Sequence, residues 1–115
     1  MTILPPEQVT PSAGQGALAL QTRASDQATK SLLQPLNDED AALCVATERA
    51  VVQLLNGDCH SPIAALATID NGSISMRIAV GKTDGLGPVK RGFQTVPRSQ
   101  AKDLPADLVR RIDLI

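Results

Sequence analysis

From residue 73 the chain alternates. Ser73, Ser75, Arg77 and Ala79 interleave with Ile74, Met76, Ile78 and Val80. A period of two puts one set on each face of an extended strand, so one face is apolar. The run before it, IAALATID (63–70), is also apolar, and the Asn71-Gly72 pair between the two runs suits a type I′ hairpin turn. TDGLGP (83–88) marks another turn, and VKRGFQTV (89–96) predicts a third strand. Together these runs predict an antiparallel meander.

On either side of the meander the period becomes helical. In NDEDAALCVATERAVVQLLNG (37–57), Leu43, Ala46, Thr47, Ala50, Val51 and Leu54 recur at helical spacing and predict one buried face. Asn37 suits the N-cap, and Asp38, Glu39 and Asp40 place negative charge where the helix dipole favours it. Gly57 falls where a left-handed C-terminal cap is expected. A second helix is expected in DLPADLVRRIDLI (103–115), with Leu104, Leu108, Ile112 and Ile115 as its buried stripe. A shorter one fits DQATKSLLQ (26–34), capped by Ser25, with Asp26 in its first turn and Pro35 after its end. The first twelve residues hold three prolines and read as an extended lead-in. AGQGALALQTR (13–23) predicts a strand entered through a glycine-rich bend.

These elements specify an α+β class: a three-stranded antiparallel sheet with helices packed on one face, spanning residues 37–115. Residues 1–36 fit poorly inside that unit and are expected to belong to something else.

Composition narrows the function. Of 115 residues, 43% are hydrophobic and the net charge is −1, so no broad basic surface recommends nucleic acid or an anionic membrane. One Phe and no Tyr or Trp leave no platform for stacking bases. No uncharged run reaches the length of a membrane span, and no basic stretch followed by an apolar core opens the chain. A cytoplasmic location with free thiols is expected.

The chemistry gathers in LLNGDCHSP (54–62), where Cys59 stands in a loop beside His60, the chain's single histidine. Asp58 and the negative end of the preceding helix both disfavour a thiolate, so this loop does not read as a self-sufficient nucleophile. A thiol that is alkylated once and then left alone needs exposure more than a low pKa. On residues alone Cys59 stays open between a nucleophile, a redox thiol, an attachment point and an inert loop cysteine. Cys44, between Leu43 and Val45 in a helix, reads as a small buried hydrophobe. GQG (14–16) lacks the setting of a dinucleotide site and reads as a bend. Glu48 and Arg49 read as a solvated pair, Lys90 and Arg91 as an edge-strand solubility device, and His60 has no companions for a metal site.

Three stretches resemble one family. PSAGQGA (11–17), TERA (47–50) and LNGDCHSP (55–62) follow in the order and near the spacing of the porphobilinogen deaminase family, whose members carry a P-A-x-G-Q-G-A-like segment, a T-x-E-R-A helix and an L-x-G-G-C-x-x-P loop. The resemblance implies that Cys59 carries a dipyrromethane cofactor through a thioether. On that primer the family's enzyme, a transferase of haem and tetrapyrrole biosynthesis, adds four porphobilinogen units with loss of ammonia and releases hydroxymethylbilane. It also implies a three-domain enzyme: residues 37–115 form the third, cofactor-carrying domain, and residues 1–36 a hinge and a strand returning to the neighbouring domains. Gly14, Gln15 and Gly16 are then expected near the hinge and the cleft, and Glu48 and Arg49 in packing between domains. Porphobilinogen, the growing pyrrole chain and the other domains of the enzyme are the implied partners. The family's catalytic aspartate lies in domains that this chain does not match, so the chain is expected to be a fragment, inactive and without cofactor when alone. Asp58 stands where the family's loop more often has a second glycine.

Two other classes compete. A thiol redox or peroxide-sensing module using Cys59 requires a low thiol pKa and a resolving cysteine nearby. A non-enzymatic interaction domain requires an exposed apolar face.

Overall fold

A computed structural model of the chain describes residues 1–57 and 61–112. The hairpin forms as the alternation predicts: β1, Ile63–Asp70, pairs antiparallel with β2, Ser73–Val80, from Ile63 opposite Val80 to Asp70 opposite Ser73. Asn71 (φ 51°) and Gly72 (φ 78°) both adopt the left-handed conformation that a type I′ turn requires. β3, Lys90–Pro97, pairs antiparallel with β2 and completes the sheet in the order β1-β2-β3.

Helix α1, Gln27–Leu33, is capped by Asp26, not Ser25: the Asp26 carboxylate accepts from Thr29 N at 3.0 Å and from the Thr29 hydroxyl at 2.7 Å. Helix α2, Glu39–Leu54, is capped by Asp38, not Asn37. Asn37 is extended (φ −69°, ψ 127°) after a 3₁₀ turn at Gln34–Leu36, so the first acceptor for an orphan helix amide is the Asp38 side chain, 3.0 Å from Ala41 N. Helix α3, Leu104–Arg111, closes the described fold, and Ile115 lies outside the described residues.

Helices α2 and α3 pack on the same face of the sheet, α2 over β1 and α3 over β3. Val51, Ala65, Ile74, Met76, Ile78, Leu104, Leu108 and Val109 form a closed core between the layers. Each fully buried Val, Leu, Ile or Met side chain there contributes about 1.5–3 kcal/mol. Gly92 permits the close approach of α3, because a Cβ on it would stand 2.9 Å from both Ile112 Cγ2 and Leu108 Cδ1. Of the face predicted for α2, Thr47 and Val51 are buried, whereas Ala46 and Leu54 are exposed. The helix turns its 44–48–51–55 stripe to the core instead, and Ala46, Ala50 and Leu54 line a shallow groove toward Lys102 and Pro105.

The strand predicted within 13–23 does not form. Residues 13–16 make a turn, residues 17–23 take no strand, and Leu18 is 97% exposed. An apolar run becomes a strand only where a sheet edge receives it, and the β1 edge is already engaged. Pro11 C=O accepts Ala65 N–H at 2.9 Å, and a side chain of α2 takes the next outward amide. The lead-in crosses this edge. Glu7 lies 3.7 Å from Arg77 on the open face of the sheet, where the Arg77 guanidinium sits 4.7 Å over the Phe93 ring, while Ala13 packs against the core on the other side.

Candidate functional site

The last turn of α2 decides how the chain enters the cysteine loop. Gly57 N donates to Val52 O at 2.9 Å and Asn56 N to Gln53 O at 3.1 Å, which closes the helix end. Asn56, with φ 52°, takes the left-handed position expected of Gly57. Gly57 serves a different purpose: a Cβ there would lie 2.4 Å from Ile63 Cδ1, so the Ile63 side chain would have to shift. On the far side, Ile63 N donates to Ser61 O at 2.8 Å, and Gly81 N donates to Pro62 O at 2.9 Å. The loop therefore leaves the end of α2 and returns to the start of β1 at nearly the same place, beside the end of β2. Asp58, Cys59 and His60, the centre of the predicted site, lie outside the described residues.

The other cysteine is in the described part. Cys44 is half-buried on α2 and packs against the core, less enclosed than the buried position expected of it. Burial, followed by the Glu48 and Asp40 carboxylates, pushes its thiol pKa up. That keeps it protonated and a poor nucleophile.

Gly14, Gln15 and Gly16 form one tight bend. Gln15 N donates to Ser12 O at 3.1 Å and Ala17 N to Gly14 O at 3.2 Å, and Gly14 (φ 73°) and Gly16 (φ 83°) are both left-handed. The Gln15 side chain folds back onto the bend and accepts from Ser12 N at 3.2 Å.

The residue that ties this bend to the fold is Glu48. It is 5% exposed, not the solvated residue that its charge suggested. One carboxylate oxygen, Oε1, accepts Gly14 N–H at 2.7 Å, and the other, Oε2, accepts Ala67 N–H at 2.8 Å. Its neighbours Cys44, Val51 and Leu55 at helical spacing were the signal that it faces inward. Arg49 is exposed, as expected, and its guanidinium lies along the Gly14 side of the helix. Thr47 is buried and donates its hydroxyl to Leu43 O at 2.8 Å. The bend and the cysteine loop thus attach to one helix, seven residues apart from Glu48 to Leu55, or roughly 10 Å along its axis. Lys90 and Arg91 sit at the exposed start of β3.

The family described as porphobilinogen deaminase, C-terminal domain, matches residues 42–113. This chain belongs to the porphobilinogen deaminase family. Over 83 residues it is 40% identical to a porphobilinogen deaminase of Chlorobium phaeobacteroides (strain BS1), a stretch that covers 72% of this chain and 26% of that relative.

The deaminase match runs from α2 through the cysteine loop and the sheet into α3. The α+β fold, with three antiparallel strands and helices on one face, agrees with that domain. No helix among the described residues is long and apolar enough to cross a membrane.

Proposed function

We propose that this chain is the cofactor-carrying C-terminal part of a hydroxymethylbilane synthase. Cys59 would hold a dipyrromethane through a thioether, residues 37–115 would form the carrying domain, and residues 1–36 would supply the hinge and the segment reaching the neighbouring domains. The observation that carries this reading is the family match, which includes the whole cysteine loop.

The local structure fits an anchor. Of the chain's two thiols, Cys44 is half-buried with a raised pKa, which supports Cys59 as the one that would be alkylated. The two ends of the loop converge, Gly57 against Ile63 and Pro62 against Gly81, which is compatible with a group carried between them. In the anchoring step the thiol loses its proton and the sulfur forms a C–S bond to a pyrrole methylene. The amino group formerly on that methylene leaves with the proton as ammonia. When bound, dipyrromethane would supply the primer, a free pyrrole α-carbon at which the chain of porphobilinogen units would begin, with loss of ammonia at each addition. The raised pKa of Cys44 also weighs against a redox module that would use it as the resolving partner.

The test is activity and cofactor content of the enzyme expressed from the complete gene that encodes this chain. Porphobilinogen consumption with hydroxymethylbilane release supports the reading. A Cys59→Ser variant that retains full activity overturns it.

A further inference from the structure

The Glu48 carboxylate joins three segments that are distant in sequence. Gly14 lies 34 residues before it and Ala67 lies 19 after it, and both donate backbone N–H groups to it from within a nearly closed environment. Ala67 belongs to β1, which pairs with β2 along its whole length. Among the described residues, Gly14 belongs to a segment otherwise held by the Ala65 N–H to Pro11 C=O bond, the packing of Ala13 and, further back, the Glu7–Arg77 ion pair. The docking stops within two residues. A Cβ on Gly14 would be in ordinary contact with Val45 Cγ1 at 3.8 Å and Arg49 Nε at 3.9 Å, whereas one on Gly16 would meet nothing within 4 Å. Beyond Gly16 the chain leaves the surface, with Leu18 97% and Leu20 61% exposed.

We infer that Glu48 is a latch: it fastens residues 11–14 to the α2–β1 edge, so that the chain pivots at Gly16. Two charge-assisted bonds from one carboxylate hold one side of the bend rigid, and the glycine immediately past it supplies the backbone freedom. Because α2 also leads into the cysteine loop, Glu48 is a positioning residue: it sets the bend at a fixed place relative to the end of α2 at Leu54, from which that loop departs. This bearing on the reaction rests on the deaminase reading, whereas the latch itself does not.

Residue-resolved amide exchange and backbone ¹⁵N relaxation on the 115-residue chain, with and without Glu48→Gln, test the latch and need neither cofactor nor activity. In the unsubstituted chain the Gly14 amide should be protected, and order should fall in a step between Gly14 and Leu18. The substitution keeps one acceptor oxygen but turns an NH₂ toward the second donor. The anchored strand should retain the oxygen, so exchange at Gly14 should rise roughly ten- to a hundredfold, the range a charge-assisted hydrogen bond supports, while Met76 and Ile78 stay unchanged. Equal acceleration at Gly14, Met76 and Ile78 would make Glu48 a general core residue and overturn the latch. If the variant does not fold, the unsubstituted chain decides: a Gly14 amide that exchanges as fast as that of Leu18 contradicts the proposal, and the step at Gly16 upholds it.

Discussion

Gly57 and Ile63 face each other across the two walls of the cysteine loop, with room for a hydrogen but not for a methyl group: a Cβ on Gly57 would stand 2.4 Å from Ile63 Cδ1. Ile63 is half-buried and packs against the core, so it cannot swing freely away. Gly57→Ala should destabilise the chain by about 1–3 kcal/mol, the usual range for overpacking. A urea-denaturation midpoint that falls while the slope is unchanged would show it.

A second glycine answers to a named partner. Gly92→Ala should cost a similar amount, because its methyl would press on Leu108 and Ile112. Leu108→Ala alone should cost about 2–5 kcal/mol, since Leu108 is 1% exposed at the centre of the α3 contact. In the Leu108→Ala background Gly92→Ala should cost less than it does alone. A double-mutant cycle by denaturation measures that coupling.

The thiols should react in a fixed order. With iodoacetamide near neutral pH, mass spectrometry of the digested chain should find Cys59 labelled well before Cys44. Cys44 is slowed by burial and by the raised pKa that Glu48 and Asp40 reinforce. Its labelling should accelerate only as pH climbs past the ordinary thiol range.

Acid should loosen α1 first at its cap. The hydroxyl and then the amide of Thr29 hold the Asp26 carboxyl below its usual pKa. A lowered folded-state pKa means the cap stabilises fully above the unfolded value, about 3.9, and the contribution disappears as pH falls through the lowered one. The Thr29 amide resonance should titrate in that acidic window and stay constant from pH 5 to 8. Asp26→Asn should remove most of the titration while retaining a cap.

The hairpin was legible residue by residue, because strict alternation and Asn71-Gly72 encode it locally, and β3 begins one position later than the pattern suggests. The helix caps were legible only to within a residue. Ser25 and Asp26, like Asn37 and Asp38, are all competent caps, and the backbone turn before each helix chooses between them. Residues 17–23 misled, because a strand depends on a partner edge that no local pattern encodes. Glu48 misled because its charge suggested solvent, although its place in the stripe of Cys44, Val51 and Leu55 pointed inward. Two amides, one from a bend 34 residues away, make that burial tolerable, and such long-range donors are invisible in sequence.

Everything proposed for the cysteine loop turns on whether Cys59 anchors a dipyrromethane. The most direct test is the intact mass of the protein made from the complete gene, with the Cys59 peptide mapped. A gain equal to two linked pyrroles on that peptide, lost in Cys59→Ser, is the expected result. An active protein whose Cys59 peptide is unmodified would contradict it.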